Sequence, residues 1–302
     1  MKLISKFALI ICMFYNFICF SQDEGTETSN IQTYTPSKLL EKGKWDVKWF
    51  NNLYTETSKE GKGEVKTIPR ENYFTTSLEA FTGFTDSKKL NIGLILEYRS
   101  NSFADQSVGS VFGFKNEIGK ARTGFSHIAP SIKIAPFSKL PNFSIQSAFY
   151  IPLLNQEQDD NGYLANKSYI FQNRFFYDHT FSGRKFQLFS EIGTRFFFGQ
   201  NLKNDDGSAN KNGGYANTSL EVVPGAFLSY FASSKSTILV FAQQQVLIDL
   251  GNKFSQNYTA LGLGGKYQIT QKLNVELLYS KFVRGNDTGL GQSFNFGLRS
   301  IF

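Results

Sequence analysis

The sequence has almost no cysteine. Only Cys12 and Cys19 occur in 302 residues, and both lie within the first 21. A disulfide scaffold is therefore excluded. Beyond the N-terminus there is no apolar run of about 20 residues, so a bundle of membrane-crossing helices is excluded as well. Histidine is nearly absent. His127 and His179 fall in different segments and in no metal-ligand spacing, so neither a metal nor a cofactor is expected. The net charge of +7 is spread along the chain without a basic cluster, and a nucleic-acid partner is not implied. Aromatic residues are not scarce: 32 Phe, 14 Tyr and 2 Trp make 16% of the chain, which argues against disorder.

Residues 1–21 have the pattern of a cleaved signal peptide. Lys2 and Lys6 precede an apolar stretch from Phe7 to Phe20, and Cys19 and Ser21 are small residues placed for cleavage before Gln22. Removal takes both cysteines and lowers the charge from +7 to +5. Residues 22–44 are polar and largely patternless, and are expected to be a flexible N-terminal extension. Residues 45–302 are expected to form one domain.

That domain has a single period. Leu90, Ile92, Leu94, Leu96 and Tyr98 alternate with Asn91, Gly93, Ile95, Glu97 and Arg99, and similar alternation recurs to the end of the chain. Period two marks strands. Twelve segments of about ten residues are expected, near 45–56, 72–84, 90–100, 124–136, 143–152, 168–180, 185–199, 215–230, 237–249, 257–269, 273–283 and 292–302. Gln243, Gln244 and Gln245 interrupt the ninth, whose faces stay unassigned. Long connections (57–71, 101–123, 153–167, 200–214) alternate with tight ones. Strands of this length with this loop rhythm are expected of an all-β, transmembrane, antiparallel up-and-down barrel. With an even strand number, both termini fall on the tight-turn side. A soluble barrel of this size would enclose more volume than its side chains fill.

In such a barrel the uniformly apolar face meets lipid and the mixed face lines the lumen. The lumen candidates are Glu79, Phe81, Glu97, Arg99, Lys133, Arg174, Phe176, Phe189, Glu191, Arg195, Glu221, Phe227, Lys266, Glu276 and Arg299. His127, Gln146, Tyr150, Gln172, Asp178 and Phe197 share that face. A two-residue loop at Ser182-Gly183 places Arg174 opposite Glu191 and Asp178 opposite Gln187, and a three-residue loop at Thr270–Lys272 places Lys266 opposite Glu276. A charged path for solute and a ladder of pairs that fills the interior both fit this face.

Catalytic patterns are lacking. Ser126 adjoins His127, but neighbours in a regular strand point to opposite faces. An enzyme is not expected. Asp159-Asp160-Asn161-Gly162 and Asn204-Asp205-Asp206-Gly207 resemble calcium loops but lack the closing Glu, and are read as solvated turns. Gly262, Gly264 and Gly265 fall inside a strand and are read as relieving crowding.

The segments "FTTSLEAFTGFTDSKKLNIGLIL" (Phe74–Leu96) and "ALGLGGKYQITQKLNVELLY" (Ala260–Tyr279) are each a strand, a short polar turn and an alternating strand. They resemble the small bacterial outer-membrane barrels linked to phenol-degradation pathways. The closing run Phe294, Phe296, Leu298, Phe302 resembles the assembly signal of outer-membrane barrels. The resemblance implies a Gram-negative outer-membrane location, with bilayer lipid and the barrel-assembly machinery as partners. It also implies passage of small, aromatic or weakly polar solutes. The alternative is a structural or interaction barrel with a filled lumen, acting through its outer loops.

Overall fold

A computed structural model describes residues 36–114, 121–198, 218–251 and 254–302. The proposed signal peptide and the 200–214 connection, with its Asn204–Gly207 loop, lie outside the described residues.

Twelve long strands form one antiparallel sheet that closes on itself. They are β1 (Trp45–Gly61), β2 (Glu64–Gly83), β3 (Leu90–Ser102), β4 (Arg122–Ile134), β5 (Phe143–Pro152), β6 (Tyr169–Thr180), β7 (Phe186–Phe198), β8 (Ser219–Phe231), β9 (Ser236–Asp249), β10 (Gln256–Gln268), β11 (Leu273–Asn286) and β12 (Gln292–Ile301). Each pairs with its sequence neighbours, and β1 pairs with both β2 and β12. The all-β barrel architecture and the strand number are those read from the period. The seam is fastened at the tight-turn end, where Trp45 and Phe302 exchange backbone hydrogen bonds of 2.7 and 3.0 Å. Closure leaves no unpaired edge.

The outer wall is apolar. Leu78, Leu94, Ile132, Ile192, Val240, Leu261, Leu263 and Leu277 are exposed around the girth. Large aromatics gather toward the two rims. Trp45, Tyr177, Phe186, Tyr230 and Tyr267 lie at the turn end; Phe125, Tyr169, Phe171 and Phe198 lie toward the loop end. Phe294, Phe296, Leu298 and Phe302 lie on this outer face, with Leu298 opposite Trp49 in register.

Two expectations about connections and one about a strand need correction. The long loop at 57–71 is instead a continued hairpin, paired from Ser58–Thr67 to Gly61–Glu64. Only Lys62 and Gly63 turn, with φ of 55° and 83°, the double positive φ of a two-residue hairpin turn. Polar residues on both faces hid this extension, whose Lys59 and Glu60 also pair with Gly289 and Thr288. The second correction concerns the loop between β6 and β7. It spans 182–185, closed by Phe181 N–H to the Phe186 carbonyl at 3.0 Å, with positive φ at Gly183 and Arg184. Arg174 is therefore opposite Gly193, Glu191 opposite Phe176, and Asp178 opposite Phe189. The shift is two residues, so every side chain keeps its face.

The third correction is at Ser126. Glu97 pairs with His127 but Tyr98 with Phe125, so Ser126 is an extra residue in β4. Such a bulge breaks strict alternation. Ser126 is buried, and its hydroxyl donates to the carboxylate of Glu97 at 2.5 Å. His127 Nδ1 lies 3.7 Å from the same oxygen. The expectation of opposed side chains fails here. The hydroxyl still serves the carboxylate rather than the imidazole, which is not a nucleophile–base arrangement.

Candidate functional site

The turn-end half of the lumen contains a cavity of about 420 Å³. Glu79, Phe81, Lys133, Arg174, Phe176, Phe189, Glu191, Phe227, Lys266, Glu276 and Arg299 line it. These are eleven of the fifteen lumen candidates. The cavity exists because period-two strands present alternate residues inward from a wall too wide for side chains alone to fill.

One wall is aromatic. Phe176 on β6, Phe189 on β7, Phe227 on β8 and Phe241 on β9 form a continuous ladder across four strands. Successive ring centroids are 5.9, 5.6 and 5.1 Å apart. Such spacings suit offset stacking. Phe241 escaped the sequence reading because the three glutamines obscured the faces of β9. Thr237, Leu239, Phe241 and Gln243 all line the cavity, so the odd positions of β9 point inward. A second signal was present: Phe241 is opposite Gly262, and a Cβ at Gly262 would lie 2.2 Å from the Phe241 ring. Gly93 and Phe81 form a like pair, with a 2.4 Å approach.

Charged residues, mostly paired, line the cavity beside and across from the ladder. Arg174 Nε meets Glu191 at 2.7 Å, diagonally across the pairing rather than directly. Lys266 meets Glu276 at 2.7 Å in the direct register expected. Arg299 meets Asp46 at 2.6 Å and joins the first and last strands. Lys48 and Phe50 on β1 also line the cavity and were missed, since the polar residues Asn51 and Asn52 blur the faces of β1.

Residues 36–44 lie at the turn end, where Pro36 and Lys38 reach the cavity. Lys133 Nζ donates to the carbonyls of Pro36 and Lys38, the latter at 2.9 Å. Lys38 Nζ donates to Asn142 Oδ1. Leu40 is buried, packs in one cluster with Phe81 and Ile95, and its N–H donates to Asn91 Oδ1 at 3.2 Å. Glu41 lies 2.6 Å from Lys88 and 3.1 Å from Lys44. The hydrogen bond from Lys88, aided by Lys44, holds the Glu41 carboxyl below the usual carboxylate range.

The loop-end half is narrower. Glu97 and Arg99 meet at 2.8 Å, and Arg195 and Glu221 at 3.6 Å. With His127 and Tyr150, the residues Glu97, Arg99 and Arg195 surround a void of about 20 Å³, room for one water. Above this, the 153–168 connection is drawn inward. Arg122 donates to the carbonyls of Gln156, Glu157 and Gly162 and meets Asp159 at 3.0 Å. Asn101 donates to those of Tyr163 and Leu164. The Asp159–Gly162 turn is thus engaged by an arginine. Among the described residues no cluster of His, Cys, Asp and Glu is arranged to hold a metal. A second aromatic group, Tyr54, Tyr73, Tyr258 and Phe282, lies on this loop-end half and was not foreseen.

An outer-membrane channel from Pseudomonas putida F1 superposes with a TM-score of 0.63 at 11% identity, over 93% of this chain and 100% of that one. The β domain of the Bordetella autotransporter BrkA gives 0.55 at 11% identity, over 85% and 99%. The CymD monoaromatic hydrocarbon channel gives 0.43 at 9% identity, over 91% and 93%. No family model and no curated relative matches the chain. At 11% identity the likeness to the first two is one of fold: a closed antiparallel barrel of the outer-membrane type. That fold serves both channels and translocators, so the function has to be argued from the lumen.

Proposed function

We propose that this chain is an outer-membrane channel for small solutes, aromatic or weakly polar, exported to the periplasm with its signal peptide cleaved before Gln22. In this reading the tight turns face the periplasm and the loops face outward, as is usual for such barrels. The continuous apolar outer wall supports a lipid setting, because soluble monomers rarely expose apolar patches beyond a few hundred Å². The run Phe294, Phe296, Leu298, Phe302 faces lipid and serves recognition by the assembly machinery. The observation that carries the reading is the Phe176–Phe189–Phe227–Phe241 ladder facing a cavity of about 420 Å³. Stacked rings on a cavity wall offer a passing solute an apolar, polarisable surface.

The experiment is conductance in planar bilayers and solute uptake into liposomes, comparing wild type with Phe176→Ala and Phe189→Ala. Wild type is expected to pass small aromatic solutes ahead of large sugars, and each variant to lose that preference. If no protein passes any small solute, the channel reading fails. The second reading, a structural barrel acting through its loops, then becomes the better account. The small void of about 20 Å³ between Glu97, Arg99, His127, Tyr150 and Arg195 is the observation that favours it.

A further inference from the structure

We propose that the cavity selects for aromatic anions, and specifically for a small carboxylate attached to a ring. The inference rests on the channel reading and narrows its substrate class. It begins with charge. Among the described residues, six cationic and four carboxylate side chains line the cavity. Three carboxylates are already committed, Asp46 to Arg299, Glu191 to Arg174 and Glu276 to Lys266, each at 2.6–2.7 Å. What remains is Lys38, Lys48 and Lys133 against Glu79. Glu79 sits opposite Lys48 in register, yet no salt bridge joins them.

Two of the three surplus cations, Lys133 and Lys48, are placed beside rings. Lys133 Nζ is 5.5 Å from the centroid of Phe176, the first rung of the ladder, and Arg174 approaches the same ring at 4.9 Å. Two backbone carbonyls take two of the three Lys133 donors, which leaves one N–H for an incoming acceptor. Lys48 Nζ lies 4.7 Å over Phe50. A ligand with a flat apolar body and one acidic oxygen pair matches both features at once: ring on ladder, carboxylate on lysine. A cationic aromatic would meet the same ladder beside unneutralised positive charge. The volume lies within the range of about 300–1,000 Å³ usual for small-molecule pockets.

The test measures block of single-channel current in planar bilayers by benzoate, benzylammonium and acetate. Benzoate is expected to act at about fivefold lower concentration than either of the others, the ratio that ~1 kcal/mol of interaction gives. Lys48→Met and Lys133→Met are each expected to reduce that ratio toward one, and Glu79→Gln to raise it. Each variant is first checked for retention of the compact, faster-migrating form in unboiled detergent gels. Lys48→Met guards against the release of residues 36–40 that Lys133→Met would cause. Equal block by benzylammonium and benzoate overturns the charge selection while leaving the channel reading intact. Equal block by acetate overturns the need for a ring. Preference unchanged in both lysine variants overturns the assignment of residues. Absence of any current or uptake, in every protein, fails the channel reading itself.

Discussion

Gly93 and Gly262 are where single residues decide the shape of the lumen. Each leaves a gap on the inner wall that a phenylalanine from the adjacent strand covers, Phe81 in one case and Phe241 in the other. A methyl group at position 262 would meet both the Phe241 ring at 2.2 Å and the Tyr279 carbonyl at 2.6 Å. Gly262→Ala is expected to cost about 1–3 kcal/mol, as overpacking does. The check is a lower temperature for loss of the folded band in detergent gels. It should also tilt the last rung of the aromatic ladder, while Gly265→Ala, on the outer face, should have a smaller effect. Removing one member of a lumen pair tests the charged wall. Glu191→Gln leaves Arg174 without its carboxylate and should destabilise by about 1–3 kcal/mol, the cost of an unmet partly buried group. The double change Glu191→Gln with Arg174→Met should recover part of that loss. At this scale the sequence was readable wherever apolar and charged residues alternated strictly. It was unreadable where one extra residue intervened, as at Ser126, or where polar residues occupied both faces, as at Asn51-Asn52 and Gln243–Gln245.

Elements were legible because their period is local, while their pairing depends on turns whose geometry is set by backbone φ. The 270–272 turn matched expectation and gave Lys266 opposite Glu276 directly. The 182–185 turn did not, because Phe181 N–H bonds the Phe186 carbonyl and four residues turn between them instead of two. Long side chains absorbed the difference, and Arg174 reaches Glu191 on the diagonal. The contacts of residues 36–44 carried no periodic signal, since they are made by backbone carbonyls, single polar side chains and one isolated apolar residue, Leu40. Gly83 holds that segment at close range. A Cβ there would lie 2.0 Å from the Glu41 carbonyl, and Gly83 N–H donates to the Lys44 carbonyl at 3.1 Å. Gly83→Ala is expected to expose residues 36–44 to limited proteolysis while the barrel remains resistant. Acid should act on the same contact. The Glu41 carboxyl is held low by Lys88 and Lys44, so its contribution is complete above the ordinary carboxylate range and disappears as pH falls through the lowered value. Hydrogen exchange at Gly43 and Gly83 should therefore be unchanged between pH 7 and 5 and quicken, beyond the intrinsic rate, only in stronger acid.

For the whole molecule, closure is the property from which resistance follows. Twelve strands in one ring leave no frayed edge, and the protein should run as a compact band in detergent until heated. Recovery as a soluble periplasmic monomer would reject the membrane setting. Among the described residues the interior holds a cavity of about 420 Å³ in the turn-end half and a void of about 20 Å³ in the loop-end half, and composition alone did not distinguish them. Barrel size sets how much space is available, but which side chains reach across it depends on rotamers and on loops drawn inward, such as 153–168. The two tryptophans add a consequence of their own. Trp45 and Trp49 are the only ones in the chain, and both stand on the outer wall of β1, roughly half exposed. Tryptophan fluorescence is thus an optical gauge of the surrounding medium, since each indole presents an apolar body and a polar tip to it. Emission should shift to the blue on insertion and be quenched by brominated acyl chains, while a solute entering the lumen leaves it dark to change.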